Sequence, residues 1–127
     1  MEGSARILLA EDDRILRKAG EVSLRKRGYE VISAVDGADA LAKALEHPPD
    51  LVLLDVMMPK MNGFDVLDAL KGNPQLRDIP VIMLTNLEQP ADISRASKAG
   101  AHSYLVKSNM NLDDLAARIA DALARRS

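Results

Sequence analysis

Asp55 closes an apolar run, Leu51-Val-Leu-Leu-Asp-Val-Met-Met-Pro59. A carboxylate placed directly after four residues with every reason to be buried suggests a chemical site. A second apolar run, Ile7-Leu8-Leu9-Ala10, is followed by Glu11, Asp12 and Asp13. If both runs are buried parallel strands, their acids share the carboxyl edge of the sheet, where open α/β sheets bind ligands. Carboxylates crowded there repel one another, and a divalent cation removes the repulsion. Hard oxygen ligands with few protein contacts suit Mg²⁺, which keeps several waters and accepts phosphate oxygens. Two more runs end at the same edge: Val81-Ile-Met-Leu-Thr85 delivers a hydroxyl, and Tyr104-Leu-Val-Lys107 an ammonium. An ionised Asp is a nucleophile that needs no general base. With a metal on one side and Lys107 and Thr85 on the other, the set suits phosphoryl transfer, which depends on positioning and charge neutralisation.

The elements that must hold these groups follow from periodicity. Short apolar runs alternate with helical patterns in five rounds, the signal for βαβ units and a parallel sheet. The strands are read as Arg6 to Ala10, Tyr29 to Ala34, Leu51 to Asp55, Val81 to Thr85 and Ser103 to Lys107. A helix over Asp13 to Arg27 would carry Leu16, Ala19 and Leu24 inward and stop at Gly28. Ala38, Leu41, Ala42 and Leu45 mark the second helix, ended by Pro48-Pro49; Phe64, Leu67 and Leu70 mark the third, ended by Gly72. The fourth, Ala91 to Gly100, has only Ile93, Ala96 and Ala99 as an inner stripe, so it is weakly anchored. The last turns Leu112, Leu115, Ala116, Ile119 and Leu123 inward, with Asn111 as its N-cap, Asp113 and Asp114 in its first turn and Arg125 and Arg126 in its last.

Composition narrows the class. The 127 residues suit one hydrophobic core, and 47% hydrophobic content with 2% aromatic leaves Leu, Val, Ile, Ala and six Met to fill it. The absence of Cys excludes disulfides and thiolate ligands, and the opening Met1-Glu2-Gly3-Ser4 has no leader character, so a cytoplasmic protein is expected. No apolar stretch approaches the roughly 18 residues of a membrane span. A formal charge of −2 gives no footprint for nucleic acid, and Arg17, Lys18, Arg25, Lys26 and Arg27 read as a solvated helix face. His47 and His102 have no metal-ligand company and read as surface residues. Met57, Met58 and Met61 read as the lining of the loop beneath the site.

Taken together, Glu11-Asp12-Asp13, Asp55 with Met58-Pro59 and Asn62-Gly63, Thr85, and Tyr104 with Lys107 make the chain resemble the receiver domains of bacterial two-component response regulators, from Ile7 to Ala124. Such receivers have a flavodoxin-like (βα)5 fold with a doubly wound sheet in strand order 2-1-3-4-5, an order that a chemotaxis member of the family exemplifies. The resemblance implies that Asp55 is the phosphoacceptor for a phosphohistidine on a sensor histidine kinase or a histidine phosphotransfer protein. It implies Mg²⁺, with Mn²⁺ as a substitute, held by Asp12, Asp55 and the main-chain carbonyl of Met57, with Glu11 acting through a water and Asp13 as a bystander or helix cap. Thr85 and Tyr104 would form the switch, changing the face of the fourth helix, fifth strand and fifth helix. The whole chain, 1–127, is expected to be a single receiver without an output domain, a signalling module rather than an enzyme. A downstream protein or missing output domain would read it, with no direct nucleic-acid or membrane binding. It would be a monomer or a weak, phosphorylation-dependent dimer.

Singly, the groups have plainer readings: Thr85 as a β-branched strand residue, Lys107 as a snorkelling strand end, Tyr104 as a half-buried strand aromatic. Their shared edge favours the site. A haloacid-dehalogenase-type phosphatase is the enzymatic alternative, but it needs a second Asp where Met57 stands. A phosphorylation-independent scaffold would have lost Asp55, Lys107 or the acid pair, and none is lost. Departures from the family pattern are Ser108 in place of the usual proline after Lys107, which makes a cis peptide unexpected there, and Asn86 after Thr85, where a small residue is common, so narrower access to the site is expected. Met57 and Leu87 are apolar and unable to orient a water, so a slowly hydrolysing aspartyl phosphate is expected.

Overall fold

The computed structural model describes residues 5–85, 90–107 and 111–125. The expectations for Asn86, Leu87 and Ser108 lie outside the described residues. Elements alternate as β1 (Arg6–Ala10), α1 (Arg14–Lys26), β2 (Glu30–Ala34), α2 (Gly37–Glu46), β3 (Leu51–Asp55), α3 (Gly63–Lys71), β4 (Val81–Thr85), α4 (Pro90–Lys98), β5 (Ser103–Val106) and α5 (Leu112–Arg125). All strand pairs are parallel and the order is β2-β1-β3-β4-β5, as expected.

The sheet is covered on both sides, which explains why its strands are continuously apolar rather than alternating. Leu8, Ala10, Val52, Leu54, Val81 and Met83 pack with residues of α2, α3 and α4. Ile7, Leu9, Leu51, Leu53 and Ile82 pack on the other face with residues of α1 and α5. Leu51, Leu53, Leu54 and Ile82 are fully or almost fully buried, each contributing about 2 kcal/mol by removal from water. The central strand β3 is therefore the rigid mount on which Asp55 sits.

Two helices end as the glycines require. In α1, Gly28 takes φ 93° while its N–H and that of Tyr29 donate to Arg25 and Leu24 carbonyls. That hydrogen bonding draws Tyr29 into the helix terminus, so β2 begins at Glu30 rather than Tyr29. Gly100 closes α4 in the same way, with φ 99° and bonds from Gly100 and Ala101 to Ser97 and Ala96.

Several inner stripes differ from the sequence reading. In α1 only Leu24 is buried, while Leu16 is 49% exposed; Gly20, not Ala19, faces the sheet, where a Cβ would come 2.9 Å from Leu9 Cδ2. In α2 the buried residues are Gly37, Ala40 and Ala44, and Leu45 stays outside. Small residues let both helices approach the strands closely, and larger neighbours one position away are turned out. Ile93 of α4 and Leu112 of α5 are likewise exposed, whereas Phe64, Leu67 and Leu70 of α3 are buried as expected. Only Ala96 anchors α4 fully.

Candidate functional site

Strand alternation sorts the site residues between the two faces before any contact is considered. Glu11, Asp55 and Lys107 each follow by two residues a side chain of the α1/α5 face: Leu9, Leu53 and Leu105. Thr85 follows Met83, which belongs to the opposite face, and Tyr104 lies beside Met83 in the β4–β5 register. Lys107 and Thr85 thus approach the edge from opposite sides of the sheet.

Lys107 Nζ donates to Glu11 Oε1 at 2.6 Å and to Asp55 Oδ2 at 3.0 Å. Both acids are nearly buried, Glu11 at 6% and Asp55 at 7% exposure. Burial by itself pulls the Lys107 pKa down, but the hydrogen bonds and charges of Glu11 and Asp55 outweigh it, and the ammonium is held above its ordinary range. The remaining Asp55 oxygen, Oδ1, accepts from the Met57 N–H at 3.1 Å, and Glu11 Oε2 accepts from the Asp13 N–H at 3.1 Å. Glu11 is therefore in direct contact with Lys107 and the acidic loop.

Asp12 is exposed, and its carboxylate joins those of Glu11 and Asp55 in one group whose ligand oxygens lie within 4.8 Å of one another. Three carboxylates against one ammonium leave two formal negative charges, and hard oxygen donors are the set a Mg²⁺-sized cation takes. The residues present fit such an ion. Met57 lines, with Asp12, an open cleft of about 540 Å³ beside this group. Asp13 stands apart: Oδ1 accepts from the Ile15 and Leu16 N–H groups, so it caps α1.

Thr85 is fully buried at the end of β4. Tyr104 is half-buried; burial first, then the charges of Asp92 and Asp55, push its phenol pKa up. Of the methionine cluster, Met58 is buried and Met61 packs against the core, while Met57 is 62% exposed.

Several supporting residues escaped the sequence reading. Arg17, read as part of a solvated face, donates from Nη1 to the carbonyls of Glu11 at 2.9 Å and Asp12 at 3.3 Å, bracing the acidic loop from α1. Gly37 meets the β3–α3 loop so closely that a Cβ would lie 1.9 Å from the Met61 carbonyl oxygen. Gly63, noted only as part of a motif, lets α3 begin against Asp55 itself, where a Cβ would stand 2.4 Å from the Asp55 carbonyl oxygen. Lys60 adds an ion pair to Asp36, the N-cap of α2, at 3.5 Å. No sequence period signals a close approach between segments distant in the chain. His102 also differs from expectation: its side chain is 23% exposed, with Nδ1 2.8 Å from Ser103 Oγ and Nε2 3.3 Å from Asp121. His47 is exposed as expected.

Comparison with known proteins agrees with this geometry. The family model of the response regulator receiver domain matches residues 7–120. The chain is 39% identical over 122 residues to the DNA-binding dual master transcriptional regulator RpaA of Synechocystis, covering 96% of this chain and 50% of that protein. It is 33% identical to Protein PilG of Pseudomonas aeruginosa, covering 80% of this chain and 76% of the relative. The chain spans about half the length, or less, of the first curated relatives it matches. Among solved structures, the chemotaxis protein CheY4 of Vibrio cholerae superposes with a TM-score of 0.87 at 32% identity, covering 94% of this chain and 99% of that one. With its acids, hydroxyl and lysine gathered at one edge of a 2-1-3-4-5 sheet, the chain belongs to the response regulator receiver domain family.

Proposed function

We propose that Asp55 accepts a phosphoryl group from a phosphohistidine on a sensor histidine kinase or histidine phosphotransfer protein, and that the resulting aspartyl phosphate switches a protein-binding face. The observation that carries this reading is the nearly buried Asp55 carboxylate, bonded to Lys107 at 3.0 Å and grouped with Glu11 and Asp12. An Asp55 oxygen forms the new O–P bond while the N–P bond breaks. The electron pair returns to the imidazole nitrogen, which takes a proton from solvent. Lys107 neutralises charge on the transferred group, and the Thr85 hydroxyl binds one of its oxygens. Asp12, Asp55 and the Met57 carbonyl would hold Mg²⁺, with Mn²⁺ as a substitute and Glu11 in support. That cation supplies charge neutralisation for the transferring phosphoryl group.

The switch uses Thr85 and Tyr104, which share one sheet face across the β4–β5 pair. Added charge and acceptor oxygens draw Thr85 toward the phosphoryl group, and Tyr104 turns into the space it leaves. The α4–β5–α5 face then presents a changed surface to a downstream protein or an output domain, and Arg95, Ser97 and Lys98 on the exposed surface of α4 are candidate partner contacts. The chain acts as one receiver domain and signalling module, as a monomer or a weak phosphorylation-dependent dimer, without direct nucleic-acid or membrane contact. A cytoplasmic setting suits this role, and among the described residues no helix is long and apolar enough to cross a membrane.

Intact mass after incubation with acetyl phosphate and Mg²⁺ tests the reading. The expected result is the gain of one phosphoryl group, lost without Mg²⁺ or in Asp55→Asn; an unchanged wild-type mass refutes it. Apolar, exposed Met57 orients no water, so the phosphoryl group should persist for minutes after donor removal. Decay within seconds would contradict that.

A further inference from the structure

The cleft beside the acid group has a cationic wall contributed by α4. Arg95 lines it together with Asp12, Met57, Met58, Asn62 and Phe64. Its guanidinium carbon lies 4.2 Å from the centroid of the Phe64 ring, and Phe64 is itself buried, at 4% exposure, in the first turn of α3. The ring face attracts the guanidinium and fixes its position without neutralising its charge. The planar group is thereby held in the wall of the cleft.

We propose that Arg95 is a donor-attracting residue: it supplies the positive charge that draws an anionic phosphoryl donor into the cleft beside Asp55. This rests on the phosphoacceptor reading. The three carboxylates and Lys107 sum to two negative charges, and a bound divalent cation brings that total to zero. A site of zero net charge has no pull on a dianionic donor at a distance. Arg95 adds a positive charge to the wall of the cleft that Asp12 also lines, and a charged cleft raises the encounter rate of an oppositely charged reactant. Because the residue lies on α4, the helix with only Ala96 fully buried, donor capture and output share one element.

The test is the second-order rate constant for phosphorylation by acetyl phosphate with Mg²⁺, read by intact mass at low and high ionic strength. It compares wild type, Arg95→Ala, Arg95→Gln and Arg95→Lys. Arg95→Ala and Arg95→Gln should be slower by about threefold to tenfold at low salt, with the deficit shrinking as salt screens the charge, and Arg95→Lys should keep most of the rate. Equal rates at low salt overturn the proposal. So does a deficit that is independent of salt or shared by Arg95→Lys, since either assigns Arg95 to packing against Phe64 rather than to charge. A wild-type protein that takes no phosphoryl group overturns the phosphoacceptor reading and this proposal together, whereas a normal wild type with an unaffected Arg95→Ala overturns only the latter.

Discussion

Replacing Asp12 by Asn should make the metal-free protein more stable, although it removes a carboxylate proposed to hold the cation. Asp12 is exposed, and its oxygen lies within 4.8 Å of one oxygen each from Glu11 and Asp55. Like charges at that separation repel by about 0.9 kcal/mol per pair even in a water-like dielectric. Attraction to Lys107 offsets part of the two repulsions, leaving a net relief of about 1 kcal/mol at low ionic strength. For a domain of this size that raises Tm by about 4 °C. Urea and thermal melts followed by circular dichroism, in low salt with a chelator and then across a Mg²⁺ titration, give the comparison. Wild type should gain stability with Mg²⁺ by mass action, while Asp12→Asn gains little, so the order of stability reverses at high Mg²⁺. An Asp12→Asn protein that is less stable than wild type in chelator would refute the electrostatic reasoning. One that responds to Mg²⁺ as wild type does would refute the assignment of Asp12 to the cation.

The neighbouring acid should behave oppositely: Asp13→Ala loses the α1 cap, lowering stability by about 1 kcal/mol in urea melts while leaving Mg²⁺ affinity unchanged. Lys107→Met should cost about 2 kcal/mol at neutral pH, because it strands Glu11 and Asp55 close together in a nearly buried setting. The Lys107 pKa is raised on folding, with burial opposing and the Glu11 and Asp55 contacts prevailing. Its contribution is therefore present in full below the unfolded value of about 10.4 and is lost as pH rises through the higher folded value. Melts between about pH 8 and 11 should show wild type approaching Lys107→Met at the alkaline end, and a constant gap would contradict the linkage. Gly37→Ala forces a Cβ into the Met61 carbonyl, so it should cost about 2 kcal/mol despite better helix propensity and weaken Mg²⁺ binding by displacing the loop that carries Met57. Calorimetric titration of Mg²⁺ checks the second effect, and an unaltered affinity would detach Gly37 from the site.

The amino-acid sequence by itself determined the five βα rounds, the strand positions to within a residue and the edge at which Asp55, Thr85, Lys107 and the acids meet. It did so because a strand buried on both faces must be continuously apolar, and a polar residue ending such a run has nowhere to go but the carboxyl rim. Helix ends at Gly28 and Gly100 were readable for a similarly local reason, the positive φ that ends each helix. Only the tertiary structure decided which helix residues face the sheet. In α1 Gly20 approaches Leu9 of the sheet, and in α2 Ala40 and Ala44 are buried, while Leu16 and Leu45 lie outward; hydrophobic periodicity weights size where proximity rewards its absence. The same holds for the Lys107 bridge to Glu11 and Asp55 and for the Arg95–Phe64 contact. Each joins segments whose separation in space is set by the packing of the whole sheet and its helices, so no local pattern in the chain encodes it.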